Sequence, residues 1–318
     1  MINFPLQIII FRLSYTKFFR RGLHMYTPRL PHHMPKSGFV AIIGRSNVGK
    51  STLLNTLVGT KVAITTPKPQ TTRRPIQGVI TRPEGQIVFV DTPGIMQKAK
   101  DELTQKLLRF SKESLHDVDV VMYVVDPTRA VGDEEKQAFR LLDHVTVPKI
   151  LVINKIDDPT SRNYIAYYRD LAKSFDAYAE VSALTRKDVD TLERWLFSKM
   201  PETEALPYPE FQFTNMSNTD WMAELIREKL FLRLDKEVPY STHVEVDEIT
   251  QRENGTTYVH GIVYTNAERY KPMIIGRGAR GIKEISQSVR NELESVSGKK
   301  YYVALEVAVD ARWLERYI

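Results

Sequence analysis

The 318-residue sequence predicts an open, mostly parallel α/β sheet with helices on both faces, followed by a smaller α+β domain. Three observations carry that reading. Short apolar runs of strand length recur through residues 38–201, each ending in a polar, loop-forming motif. Pro201, Pro207 and Pro209, set among Glu202, Glu204 and Glu210, then break the pattern. Beyond them the periodicity restarts in the order α-β-β-α-α-β. The expected division is a basic leader at 1–37, a first domain at 38–201, a linker at 202–212 and a second domain at 213–318. Two domains suit a chain of this length at roughly 150 residues each.

Composition narrows the chemistry. With 42% hydrophobic and 26% charged residues the chain can bury ordinary cores. It has no cysteine, which excludes disulfides, zinc ribbons, iron–sulfur clusters and thiol nucleophiles. The 7 histidines form no HExxH-type pair, and no apolar run approaches the ~18 residues of a membrane span. A soluble, intracellular protein is expected. The net charge of +6 is unevenly spread: residues 1–83 hold 13 basic residues and no acid, leaving 32 of the 45 basic residues against all 39 acidic ones in the rest. Overall basicity is therefore no evidence for nucleic-acid binding, and any such surface must be local.

The leader, residues 1–37, carries Arg12, Lys17, Arg20, Arg21, Arg29 and Lys36 among apolar and hydroxyl residues. Its apolar run Ile8 to Phe11 precedes Arg20-Arg21, the wrong order for a secretory signal, and its acid-free, arginine-rich character fits a mitochondrial transit segment. The alternatives are a basic tail without an address, or true initiation at Met25 or Met34. Pro28, Pro31 and Pro35 mark a linker before the first strand.

Phe39 to Ile43 reads as that strand and leads into Gly44-Arg45-Ser46-Asn47-Val48-Gly49-Lys50-Ser51, with Thr52 opening a helix whose apolar positions are Leu53, Leu54, Leu57 and Val58. This is G-x-x-x-x-G-K-S between a strand and a helix, the context in which it wraps phosphates. Successive backbone N–H groups and the helix N-terminus face the anion, Lys50 reaches the β- and γ-phosphates, and the Ser51 hydroxyl can ligate Mg²⁺. Ile87 to Val90 reads as a second strand and ends in Asp91-Thr92-Pro93-Gly94. Asp91 suits the Mg²⁺ shell, and the Gly94 N–H suits the γ-phosphate. Residues 148–153 lead to Asn154-Lys155-Ile156-Asp157, where the Asp157 carboxylate can accept from guanine N1–H and the exocyclic amine. Adenine would leave that buried carboxylate facing a lone pair. Asn154 is expected to brace the loop and Lys155 to cover the ring. Val181-Ser182-Ala183 closes a further strand, with its backbone toward guanine O6. Four such strand ends in order point to a guanine-nucleotide site at the edge where open α/β sheets bind ligands. The Pro-broken segment Thr65 to Arg74 suits a switch loop that supplies the last Mg²⁺ hydroxyl, from Thr72 or alternatively Thr71. Lys50, Thr72 and Gly94 are the expected catalytic groups. Ile95 stands where many small GTPases carry a water-orienting glutamine, so no general base is named.

In the second domain, positions 221, 222, 225, 226 and 230 share one helical face, residues 243–249 alternate, and Asn254-Gly255 turns into 257–264. A long helix over about 281–295 and a strand over 301–309 complete it. Residues 269–283 hold five basic groups and no acid. They include Lys271, Gly276, Arg277, Gly278, Ala279, Arg280, Gly281 and Lys283, a basic turn between two helices. This resembles a type II KH domain, whose GXXG loop clamps a single-stranded RNA backbone. One register puts Gly276 first and Ala279 fourth; the other runs from Gly278 to Gly281.

Taken together, GRSNVGKST, KPQTTR, DTPG, NKID and VSA, with the KH-type half, make residues 39–309 similar to the Era family of GTPases. The resemblance implies a P-loop GTPase domain joined to a KH domain, slow GTP hydrolysis, bound GTP or GDP with Mg²⁺, and a potassium site using Asn47. It implies binding to small-subunit ribosomal RNA near its 3′ end during subunit assembly, in the mitochondrial matrix if the leader is a transit segment and in the cytoplasm otherwise. DNA and membranes are not expected partners, and a monomer is expected. An RNA chaperone or scaffold with incidental hydrolysis is the alternative.

Overall fold

The computed structural model describes residues 34–69, 71–94 and 102–317. Residues 1–33 of the leader, Gln70 of the switch segment and Ile95 lie outside the described residues. The chain divides into two units, the second beginning at Ser217.

The first unit runs β1 (Lys36–Ile43), α1 (Lys50–Val58), β2 (Ile76–Arg82), β3 (Gly85–Asp91), α2 (Glu102–Glu113), β4 (Val120–Val125), α3 (Asp133–Arg140), β5 (Lys149–Ile153), α4 (Ile165–Leu171), β6 (Ala177–Glu180) and α5 (Val189–Lys199). Its six strands lie in the order β2-β3-β1-β4-β5-β6. All neighbours are parallel except β2, which pairs antiparallel with β3. Every residue of β4 is buried, as a central parallel strand covered on both faces requires. In β1 the period of two sorts side chains: Val40 and Ile42 join Leu53, Leu54 and Leu57 of α1 in one core. Ala41 and Ile43 join Tyr123, Ala138 and Tyr168 in the other. Each fully buried leucine of α1 contributes roughly 1.5–3 kcal/mol.

The sequence reading treats 202–212 as a linker and 213 as the start of the second domain. In the structure residues up to Met216 belong to the first unit. Lys36 bridges Glu202, and the Ser37 N–H donates to Pro201 O at 2.9 Å. Buried Gln86 accepts from Tyr208 N at 2.8 Å and donates to Tyr208 O at 2.9 Å. The Val79 N–H donates to Phe213 O at 2.9 Å, and Gly78 bridges Thr214. Backbone pairing, invisible to composition, holds this proline-rich stretch.

The second unit, to Trp313, runs α6 (Asn218–Arg233), β7 (Thr242–Gln251), β8 (Thr257–Thr265), α7 (Lys271–Ile275), α8 (Arg280–Ser297) and β9 (Tyr301–Val309). The sheet order is β7-β8-β9, antiparallel then parallel. Ser217 caps α6 by accepting from the Asp220 N–H at 3.1 Å. Leu225, Ile226 and Leu230 of α6 and Ile285, Val289 and Leu293 of α8 bury one core against Val259 and Val263 of β8. Among the described residues no helix is long and apolar enough to cross a membrane.

The β2–β3 turn depends on one glycine. Gly85 has φ +147°, and a Cβ there would lie 1.7 Å from Lys36 O. Gly85→Ala is expected to cost more than about 2 kcal/mol in urea unfolding, by strain at a special backbone position. A loss below about 0.5 kcal/mol, the range of ordinary surface changes, would mean that β1 and β3 part without cost there.

Candidate functional site: a nucleotide cleft and a basic inter-helix turn

The phosphate loop, residues 44–49, leaves β1 at the carboxyl edge of the sheet and turns into α1. Gly44 at φ +155° would place a Cβ 2.3 Å from Val124 O, and Gly49 at φ +97° would place one 2.4 Å from Asn154 Nδ2. Both positions demand glycine for space and for backbone conformation. Ser46, Asn47, Lys50, Ser51, Thr72 and Gly94 line the cleft that results, with Thr52 beside them. Val48 is buried in the core below.

Lys50 is buried, and its Nζ donates to Gly44 O at 3.1 Å and Arg45 O at 3.0 Å. Burial lowers its pKa to about 8, against the opposing pull of Asp91 and Glu135. Ser51 Oγ donates to Asp91 Oδ2 at 2.6 Å and lies 3.1 Å from Thr72 Oγ1, which donates to the same carboxylate oxygen at 3.3 Å. Asp91 Oδ1 is buried without a hydrogen-bond partner, and burial raises the carboxyl above its ordinary range. One buried carboxylate, an unused oxygen and two hydroxyls form an all-oxygen donor set that fits a small divalent cation sharing its shell with phosphate. Thr72 and not Thr71 reaches this point: Thr71 Oγ1 donates to Lys68 O at 2.8 Å within its own loop.

Of the segment after β3, Thr92 Oγ1 donates to Ile42 O at 2.7 Å, and Pro93 O accepts from Ser111 Oγ at 2.9 Å. Both residues anchor the loop. Gly94 lies against the phosphate loop, where a Cβ would meet Ser46 Oγ at 2.6 Å and Ser46 Cα at 2.7 Å.

On the base side, Asn154 Nδ2 donates to Val48 O at 2.9 Å, and its Oδ1 accepts from Ala183 N at 2.9 Å. Of the 181–183 backbone expected to face guanine O6, the Ala183 N–H is thus engaged by Asn154. Ser182 Oγ accepts from Thr185 N at 3.0 Å and braces the same turn. Asp157 is exposed on the turn after β5. Lys155, at φ +60°, donates from Nζ to Asn47 O at 2.8 Å. Asn47 Nδ2 donates to Pro67 O at 2.7 Å, tying the phosphate loop to the switch segment.

Two groups escaped the sequence reading. Arg45 belongs to the phosphate loop, yet its side chain is buried and turned inward, forming a 3.1 Å ion pair with Glu135 that is too bent for a hydrogen bond. Tyr123 and Tyr168 donate to the same Glu135 carboxylate. Burial raises the Glu135 carboxyl, and hydrogen bonds from the tyrosines and the Arg45 charge oppose it. The second is Asp126, directly after β4, whose Oδ2 accepts from Lys155 Nζ at 2.7 Å. Burial would raise its carboxyl, but hydrogen bonds from Lys155 and Thr128 prevail and hold it below the usual carboxylate range. An acid closing the apolar run Val120 to Val125 was the available signal, the same one that marked Asp91.

In the second unit, α7 ends at Ile275 and α8 begins at Arg280, so the turn between the helices is 276–279. Arg280 and Gly281 of the later register lie in the first turn of α8. Gly281 is buried where a Cβ would meet Ile274 O at 2.8 Å, which marks a helix crossing rather than a ligand loop. Gly276, Gly278 and Ala279 all have positive φ, at 73°, 60° and 60°. Arg277, Arg280 and Lys283 are exposed around the turn, and Lys271 is half-buried at the start of α7. Arg280, Lys283, Gln287 and Asn291 line a groove along α8.

Comparison with known proteins fits this geometry. A family model described as a 50S ribosome-binding GTPase matches residues 39–155, and a KH domain model matches residues 237–314. The GTPase Era of Halothermothrix orenii is 40% identical over 282 residues, 88% of this chain and 95% of that protein. The chain belongs to the Era family. The Era of Carboxydothermus hydrogenoformans is 41% identical over 285 residues, 87% of this chain and 94% of that one. Two solved Era structures superpose with a TM-score of 0.82. One, in complex with MgGDPNP and nucleotides 1506–1542 of 16S ribosomal RNA, is 36% identical and covers 90% of this chain and 97% of its own. The other, Aquifex aeolicus Era Y63A bound to GDP·AlF4⁻, is 34% identical and covers 89% and 96%. Like its Era relatives, the chain is a GTPase with a C-terminal KH domain.

Two outcomes are expected. Phosphate contact favours charged Lys50, so at pH 8, where about half the side chains are neutral, GDP binding without magnesium takes up about half a proton. Uptake vanishes near pH 6.5, and affinity falls as pH rises past 8. Calorimetry in buffers of different ionisation enthalpy measures it; zero uptake at pH 8 would mean that buried Lys50 stays fully protonated. Ala279→Gly removes a left-handed alanine costing roughly 1–2 kcal/mol, partly offset by unfolded-state entropy. A net gain of up to about 1 kcal/mol in denaturant unfolding is expected, and a loss would show that the Ala279 methyl group packs favourably.

Proposed function

We propose that this protein is a GTP-driven switch that binds the 3′ region of small-subunit ribosomal RNA during assembly of that subunit. The observation that carries the reading is the meeting of Ser51, Thr72 and Asp91 at one point, because Thr72 belongs to the switch segment. A γ-phosphate and its cation would recruit Thr72 and so order residues 65–74, and GDP would not. Ser51, Thr72 and Asp91 would hold a Mg²⁺, which would supply positive charge against that of the phosphates.

The chain's own groups supply the rest. Lys50, released from its two carbonyl partners, neutralises the β- and γ-phosphates. Backbone N–H groups of residues 46–51 hold the phosphate oxygens where charge grows as the bond to the leaving oxygen breaks. The Gly94 N–H, held against Ser46, donates to the γ-phosphate. Asp157 accepts from guanine N1–H and the exocyclic amine, while Lys155 covers the ring. Asn47 is the proposed potassium ligand, expected to make hydrolysis faster in KCl than in NaCl.

For the RNA, the turn at 276–279, with positive φ at Gly276, Gly278 and Ala279, lies beside the exposed Arg277, Arg280 and Lys283. The RNA in the Era complex comes from 16S ribosomal RNA, and that match spans 90% of this chain. The model described by the 50S subunit spans only residues 39–155, without the KH domain. The longer match supports the small subunit. The basic, acid-free leader supports a mitochondrial destination, and the chain is proposed to act as a monomer.

The test is ultraviolet crosslinking of the tagged protein in its own cells, with sequencing of the attached RNA. Reads should concentrate at the 3′ region of mitochondrial small-subunit ribosomal RNA. Reads from cytosolic ribosomal RNA would overturn the compartment, and the absence of specific RNA would overturn the RNA role. Replacing Arg277 and Lys283 by Ala should weaken RNA binding and flatten its log–log salt slope by about 1.4, from two lost charges on a single strand.

A further inference from the structure

The loop after β4, residues 126–130, carries neither the phosphate motif nor the base motif, yet it is bonded to both. The Asp126 carboxylate is fully buried. Its Oδ2 accepts from Lys155 Nζ at 2.7 Å and from Arg129 Nε at 3.2 Å, while its Oδ1 accepts from the Thr128 N–H at 2.9 Å and hydroxyl at 2.6 Å. Arg129 then reaches the phosphate loop, where Nη2 donates to Ser46 O at 3.1 Å. Lys155 reaches the next carbonyl, Asn47 O, at 2.8 Å. From the other side, Arg45 donates to Ala130 O at 3.0 Å and Asp126 O at 3.3 Å. Three cations thus stitch residues 45–47 to residues 126–130, and one carboxylate serves two of them. The cation that covers the base and the cation that pins the phosphate loop share a single anchor.

We propose that Asp126 and Arg129 are positioning residues that set how long the guanine nucleotide is held, by making the base loop and the phosphate loop open together. The proposal rests on the reading of residues 44–52 and 154–157 as the guanine-nucleotide site. The physical case is one of shared partners. Lys155 carries a long, flexible stem and keeps an exposed edge, with 36% of its side chain accessible. Without Asp126 its hold on the base side would rest on one neutral carbonyl. Hydrogen bonds to an ionised partner are about twice as strong as neutral ones, so the carboxylate dominates that hold. Arg129 adds nothing to base contact directly; it fixes Ser46 and shares Asp126 with Lys155. Loss of either residue therefore loosens both ends of the nucleotide site.

Stopped-flow release of fluorescent mant-GDP from the full-length protein tests this. Asp126→Asn and Arg129→Ala should each speed release about 10-fold or more, the factor set by losing one charge-assisted hydrogen bond. The change in release should exceed at least several-fold any change in single-turnover hydrolysis of preloaded GTP. Arg129→Lys should recover part of the retention. The double variant should release no faster than the product of one lost clamp, well short of the two effects multiplied. Thr128→Ala removes a hydroxyl donor but leaves the Thr128 N–H, Lys155 and Arg129 on the carboxylate, so it should speed release less than Asp126→Asn or Arg129→Ala. Arg129 is about half exposed, so its variants keep the test decisive if Asp126→Asn fails to fold. Release within 2-fold of the parent in Arg129→Ala would overturn the proposal. A parent protein that does not bind mant-GDP at all would overturn the nucleotide-site reading instead.

Discussion

The side-chain amide of Asn154 is the interaction on which the nucleotide cleft depends. It donates to Val48 O and accepts from Ala183 N, so one residue at the end of β5 joins the loops that follow β1 and β6. Both bonds are buried, where leaving either polar partner unmatched costs about 1–3 kcal/mol. The amide also explains a glycine: a Cβ at Gly49 would press on Asn154 Nδ2. The phosphate loop can wrap an anion because its closest neighbour is a hydrogen-bonding group that needs the space a side chain would take. Around this brace the remaining polar groups are arranged in pairs of opposite demand. Lys50 is buried and inclined to lose its proton, and Asp91 is buried and inclined to keep one. A phosphate and a divalent cation relieve both at once.

Much of this was legible in the chain. A phosphate loop imposes its spacing on the sequence because backbone N–H groups, a lysine and a hydroxyl must reach one anion. Strand ends such as Asp91 and Asn154 were visible because central parallel strands are apolar throughout, so the first polar residue marks the edge. Thr72 could be shortlisted from composition, but choosing it over Thr71 needed the loop's own hydrogen bonds. Arg45 shows the reverse failure. Motif membership suggested a ligand contact, whereas the side chain turns toward Glu135, 90 residues away in sequence. No periodicity announces a partner at that separation. The same applies to Asp126 and Arg129, whose significance lies in contacts with Lys155 and Ser46.

The second unit teaches the difference between a glycine for space and a glycine for conformation. Gly281 is needed because α7 and α8 cross closely there, with Ile274 O 2.8 Å from where its Cβ would sit. Gly278 faces open space and is needed only for its positive φ. Ala279 takes a left-handed conformation without being glycine, which is why the sequence left two registers open. The helix boundary at Arg280 favours the register that begins at Gly276.

The last residues of the first unit, up to Met216, cover one edge of its sheet. β2 is the outermost strand on its side of the sheet, and an open edge is a template on which another chain can pair. The backbone of Phe213 and the side chain of Asn215 occupy N–H groups of Val79 and Gln77 along that edge. A segment carrying Pro201, Pro207 and Pro209 would make a poor strand, and this one is held at a few points only. A short, interrupted partner of this kind satisfies the edge without extending the sheet, and leaves less of it open to pairing with another chain.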